Sequence, residues 1–109
     1  MHTNYSLYGL HGDKIEPIVK RLETLFNITM NEHDSLVWGD YFLSIHGRPN
    51  QISVYWNEEP ETGEPLDTDF EEYELLLSIY DSTHMPKHDK LLSEDPIISA
   101  TLVDRNVDE

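Results

Sequence analysis

The chain of 109 residues contains no cysteine. That absence excludes disulfides, thiolate nucleophiles and Cys-ligated zinc or iron–sulfur centres. It fits a reducing compartment, and the cytoplasm is the expected location. No apolar run approaches about 18 residues, so no transmembrane helix is expected. Met1 to Lys14 holds no basic segment followed by an apolar one, so no signal peptide is expected. A Gly-rich phosphate loop, a nucleophile elbow and a helix-borne metal motif are all missing. Carboxylates are too numerous for any one pair to carry catalytic meaning. The sequence therefore points to no enzyme and to no cofactor.

Basic residues are scarce as well. Seven Lys and Arg stand against 22 Asp and Glu, a net charge of −15 with histidine neutral. Such a chain repels nucleic acid and anionic lipid, so neither is an expected partner. It attracts a cationic surface. With 38% hydrophobic residues and a length near the commonest domain size, residues 1–109 read as one soluble globular domain.

Periodicity gives the elements. Asn4 to Leu10 reads as a short strand. Ile15, Ile18, Val19, Leu22, Leu25 and Phe26 recur at helical steps, predicting a long amphipathic helix over 13–27. Asp13 would cap it with Glu16 as capping-box partner, Pro17 would sit in the first turn, and Asn27 would stop it. Lys20, Arg21 and Glu23 would point outward. Ile28 to Glu32 is a short extended piece, and 35–46 reads as a strand. The cluster His46-Gly47-Arg48-Pro49-Asn50 is a turn. In 51–57, Ile52, Val54 and Trp56 alternate with Gln51, Ser53 and Tyr55, so these two runs form an antiparallel hairpin. Residues 58–69 read as a polar loop, 71–80 as a strand, 86–93 as a short helix or turn, and 96–103 as a closing strand. The tail 104–109 would be frayed. The expected fold is α+β: an antiparallel sheet of four to five strands, one long N-terminal helix packed on it, and a short second helix.

Charge is concentrated. Glu58, Glu59, Glu61, Glu64, Asp67, Asp69, Glu71, Glu72 and Glu74 fall within 17 residues, and no basic residue lies between Arg48 and Lys87. The bland reading is a solvated loop; the functional one is a docking surface for a cationic cleft. A second region, Asn31 to Ser35 followed by Trp38-Gly39-Asp40-Tyr41-Phe42, mixes carboxylates with aromatics as interface hot spots do. Taken alone, its aromatics Trp38 and Phe42 read better as ordinary core, with Asp40 facing water. His84 and His88 stand four apart, but Pro86 lies between them, which weakens a metal reading. His2, His11, His33 and His46 read as surface or turn residues.

The stretch Asn31-Glu32-His33-Asp34-Ser35-Leu36-Val37-Trp38-Gly39-Asp40-Tyr41-Phe42 resembles a pattern in bacterial immunity proteins of polymorphic-toxin and contact-dependent growth inhibition systems. Ile52 to Asn57, the acidic Pro-containing loop, Tyr73 to Leu77 and, loosely, Ile97 to Arg105 extend the likeness. Where the pattern has two glycines before the Asp-aromatic pair, this chain has Trp38-Gly39. The resemblance implies a non-catalytic protein that neutralises one cognate toxin domain, the C-terminal part of a large secreted or surface protein.

Many such toxins are nucleases, and nucleases are basic because they hold phosphate. The expected interface joins Glu32, Asp34 and Asp40 to Glu58, Glu59, Glu61, Glu64, Asp67, Asp69, Glu71 and Glu72. Trp38, Tyr41, Tyr55 and Trp56 would be its apolar anchors. The alternatives are an acidic nucleic-acid mimic outside toxin systems and a small metal-binding domain built on His84 and His88.

Overall fold

The computed structural model describes residues 4–35, 39–44, 51–81 and 85–107. Its elements run β1 (Asn4–Leu10), α1 (Glu16–Phe26), β2 (Asn31–Ser35), β3 (Gly39–Ser44), β4 (Gln51–Trp56), β5 (Leu75–Asp81), α2 (Met85–Glu94) and β6 (Thr101–Val107), with one 3-10 turn at Thr68–Phe70. The six strands form one sheet in the order β2-β3-β4-β5-β1-β6, and every neighbouring pair is antiparallel.

The expected α+β architecture is overturned. Among the described residues the sheet has six strands, not four or five, and there is no long N-terminal helix. The two helices are short, 11 residues for α1 and 10 for α2, and the chain is a small β-rich fold. Asp13 does not cap α1: Ile15 holds the cap position and no side-chain cap bond forms. Asn27 does end the helix, in the left-handed conformation at φ 52°, where Asn is tolerated. Arg21 and Glu23 are not simply solvated. Arg21 pairs with Asp95, and Glu23 accepts the Met30 amide at 2.9 Å.

Alternation divides the sheet into two faces. Tyr8, Leu10, Ile52, Val54, Leu75, Leu77 and Ile79 project to one face and are buried under Ile15, Ile18, Val19 and Leu22 of the α1 segment and Leu92 of α2. Short helices suffice because each contributes one apolar stripe to a sheet face that is already nearly continuous. On the same face the guanidinium of Arg105 and the hydroxyl of Tyr8 both donate to Asp89 Oδ1, and Arg105 Nε donates to Ser6. This cluster fastens α2 to β1 and β6. The C-terminal stretch is therefore not frayed at Asp104: β6 pairs with β1 as far as Val107. Residues 96–100 precede the strand instead of opening it. There Asp95 Oδ1 accepts the amides of Ile97 and Ile98 at 3.0 and 3.1 Å, making a turn.

The opposite face carries Leu7, Tyr55 and Leu76, with Tyr5, Tyr41 and Val103 around them. Leu66 and Phe70 close over this cluster. Leu66 belongs to the segment 58–69 expected to be a polar loop and Phe70 directly follows it, and residues 57–74 form a flap across the sheet. β2 begins within the short extended piece expected at Ile28 to Glu32 but runs on to Ser35. It pairs residue for residue with β3, from Asn31 opposite Leu43 to Ser35 opposite Gly39. Leu36 to Trp38 and the turn cluster 46–50 lie outside the described residues. No described helix is long and apolar enough to cross a membrane.

Candidate functional site

Flap geometry follows from one side chain. Asn57, 7% exposed, leaves β4 and turns inward. Its Oδ1 accepts the Asp67 amide at 2.8 Å. Its Nδ2 donates to the carbonyls of Phe70 at 3.0 Å and of Asp67 and Tyr73 at 3.3 Å. The Asn57 amide meets the Glu74 carbonyl at 2.8 Å, closing the base. At the tip, Glu59 and Glu64 are bridged at 2.7 Å and the Gly63 amide reaches the Glu59 carbonyl at 2.8 Å. Asp67 caps the 3-10 turn through the Asp69 amide. Near the flap's far end the Tyr73 ring lies on Gly9, where a Cβ would collide with it.

The result is an ordered support for like charge. Glu58, Glu61, Glu64, Asp69, Glu71, Glu72 and Glu74 are exposed, and Glu59 and Asp67 are half-buried. Among the described residues, no Lys or Arg pairs with any of them; Glu74 instead meets His11, whose Nδ1 stands 3.0 Å away. That hydrogen bond holds the Glu74 carboxyl below its usual range. Arg21 and Arg105 are engaged elsewhere, with Asp95 and Asp89.

The second predicted region has a different footing. Glu32 and Asp34 lie exposed on β2, and Asp34 stands directly opposite Asp40 of β3. All three project on the helix side of the sheet, as Phe42 does. Trp56 lies on this side too, half-buried against the core. The two acidic sets meet at a groove of about 340 Å³ between Gly39, Asp40, Trp56, Glu58 and Pro60. Gly39 has φ +69° and Pro60 packs on it, 3.1 Å from where a Cβ would lie. An adjoining groove of about 240 Å³ shares Trp56 and Glu58 and adds Glu71, Tyr73 and Glu74. An indole flanked by carboxylates suits a Lys or Arg side chain by both ion pairing and cation–π attraction.

The described anchors divide between the two faces: Tyr41 and Tyr55 stand opposite one another across β3 and β4 on the flap side, and Trp56 packs on the helix side. Trp38 lies outside the described residues. Tyr55 and Trp56 are chain neighbours and point to opposite faces. Tyr55 is core, 9% exposed under the flap, and burial, with the Asp67 charge next in weight, pushes its hydroxyl up to about 12. Tyr41 is half-buried on the flap side and stacks on His33, ring centroids 5.4 Å apart. Of the described anchors, only Trp56 stands at the meeting of the acidic sets. Asn57 and Tyr73 enter the sequence reading only as strand residues of the quoted likeness and Pro60 only as a loop residue, and nothing there marks them as builders of the flap and groove.

No three His, Asp or Glu side chains are arranged to hold a metal ion among the described residues. His84 and the His88 side chain lie outside them. Comparison with protein-family models, curated proteins and solved structures gives no match.

Proposed function

We propose that the protein is a cytoplasmic binding protein that covers a cationic surface on another protein, and that its target is a basic toxin domain which it neutralises as an immunity protein. The observation that carries this reading is the flap: seven exposed carboxylates on a hydrogen-bonded frame, none paired with Lys or Arg among the described residues. Holding like charges together destabilises the free protein, and the frame prevents the loop from relaxing that repulsion by spreading. A preorganised anionic surface loses little entropy on binding and accelerates encounter with a cation, to around 10⁸ M⁻¹s⁻¹ at low salt. On a nuclease the flap would occupy the groove that holds phosphates. Trp56, between Asp40 and Glu58, would supply the apolar anchor.

The test takes the C-terminal domain of a large secreted or surface protein, to be sought in the reading frame beside this chain's own, and a basic domain there is the expected finding. Replacing Glu61, Glu64, Glu71 and Glu72 by lysine should slow association by at least tenfold at low salt. The gap should narrow as salt rises, and protection against the toxin should weaken. Unchanged association and protection would remove the flap from the interface.

A further inference from the structure

Beyond the flap, the sheet offers an open edge. β2 is the outermost strand, and among the described residues it pairs only with β3. Its other side therefore presents a row of backbone donors and acceptors, the usual template for strand addition. The pairing with β3 is regular throughout. The side chains of Asn31 to Asp34 are all exposed. Among the described residues, nothing packed on them obstructs an incoming strand.

The opposite edge differs. β6 shifts register against β1 between Leu7 and Tyr8, and such an irregularity twists an edge away from further pairing. Arg105 there is held by Asp89 and Ser6.

Charge selects the occupant of the β2 edge. Glu32 and Asp34 project on the helix side of the sheet. Asp34 already faces Asp40, an unfavourable like-charge pair. A cation arriving on the other flank of Asp34 would relieve it. On the flap side, His33 stacked on Tyr41 gives an aromatic surface to the residue between. A second copy of this chain is the wrong occupant. Antiparallel self-pairing about His33 would set Glu32 against Asp34, between two chains of net charge −15.

We propose that β2 receives an extended strand of the partner carrying Lys or Arg at alternate positions, with an apolar residue between them. The proposal rests on the reading of the protein as a binder of a cationic partner, and it assigns a surface separate from the flap.

The test uses the full chain and a capped Lys-Val-Lys-Val-Lys peptide. Two further peptides, isomers of each other, carry two backbone N-methyl groups, either on both valines or on two of the lysines. In a ladder only alternate residues turn their N–H toward the neighbouring strand. The parent peptide should slow amide exchange along β2. One methylated isomer should bind like the parent and the other about tenfold more weakly. Glu32→Lys with Asp34→Lys should weaken the parent by about tenfold. The flap variant with Glu61, Glu64, Glu71 and Glu72 replaced by lysine should keep the protection of β2. Equal binding of both isomers, or protection that falls on the flap instead of β2, would overturn the proposal. Protected β2 amides alongside a toxin association indifferent to flap charge would overturn the flap reading alone.

Discussion

Asn57 and Asp67 are joined by hydrogen bonds in both directions: the Asp67 amide donates to Asn57 Oδ1 at 2.8 Å, and Asn57 Nδ2 donates to the Asp67 carbonyl at 3.3 Å. With the bonds to Phe70 and Tyr73, one buried amide substitutes for the pairing that a strand would have given this segment. Asn57→Ala leaves backbone groups of the flap without partners, each costing about 1–3 kcal/mol where buried. The expected loss of stability is about 2–4 kcal/mol, read from the urea midpoint. Amide exchange should accelerate first in 58–73. Asn57→Asp keeps the acceptor and loses the donor, so it should be intermediate in stability.

Gly9 on β1 and Tyr73 at the flap's end make a second fastening. A methyl group at Gly9 meets the Tyr73 ring directly, and the ring cannot retreat without lifting the flap. Gly9→Ala should therefore destabilise by about 1–3 kcal/mol, as overpacking does. Combining it with Tyr73→Ala should cost less than the sum of the two single changes, because the smaller side chain removes the clash. A double-mutant cycle by chemical denaturation measures that coupling; strictly additive values would place the ring elsewhere.

These two fastenings also mark where the sequence was legible. β4 was readable because Ile52, Val54 and Trp56 serve one buried face and Ser53 and Tyr55 the other, so burial is written into the alternation. β2 was only touched by the extended piece expected at 28–32, because Asn31-Glu32-His33-Asp34 lies at the sheet's edge with its side chains exposed and holds no apolar residue to reveal its period. Leu66 and Phe70 went unnoticed for a related reason: two apolar residues in a carboxylate-rich loop have no period at all, and only a tertiary contact makes them core. Pro96 to Ile98 misled in the other direction. Their β-branched character suggests a strand, but the Asp95 side chain takes up the Ile97 and Ile98 amides and the ladder begins at Thr101. For the site, composition gave the charge and its location, while the groove around Trp56 depends on Gly39 and Pro60 meeting across strands.

Asp95 gives a pH prediction. Burial opposes its ionisation, but hydrogen bonds from Arg21 and from the Ile98 and Ile97 amides outweigh that and hold its carboxyl below the usual range. A carboxyl depressed in the folded state contributes stability that is complete above its unfolded value, about 3.9, and is lost as pH falls through the folded value. Unfolding midpoints should thus decline below about pH 4. Asp95→Asn should lower stability by about 1–3 kcal/mol at neutral pH, a modest figure because the Arg21 side chain is 37% exposed and remains solvated when unpaired. The variant should also show a shallower acid slope, since one depressed carboxyl has been removed. Parallel slopes for the two proteins would mean that Asp95 gains no stability from its charge.

Asp34 and Asp40 face one another across β2 and β3, and neither has a basic partner among the described residues. Directly opposed like charges destabilise a strand pair by roughly 0.2–1 kcal/mol, toward the lower end here because both side chains are exposed. Asp40→Asn should therefore stabilise the free protein by a few tenths of a kcal/mol at low ionic strength. Salt should produce the same gain in the parent chain and abolish the difference between the two. The same substitution should weaken binding to a cationic partner, because Asp40 lines the groove beside Trp56. Opposite signs for stability and affinity are the expected signature of a charge retained for recognition. Asp34→Asn should follow it in both respects if β2 accepts a basic strand. A loss of stability in either variant would mean that the pair is held together by contacts that repulsion does not outweigh, and the case for charge kept at the expense of stability would fail at this position.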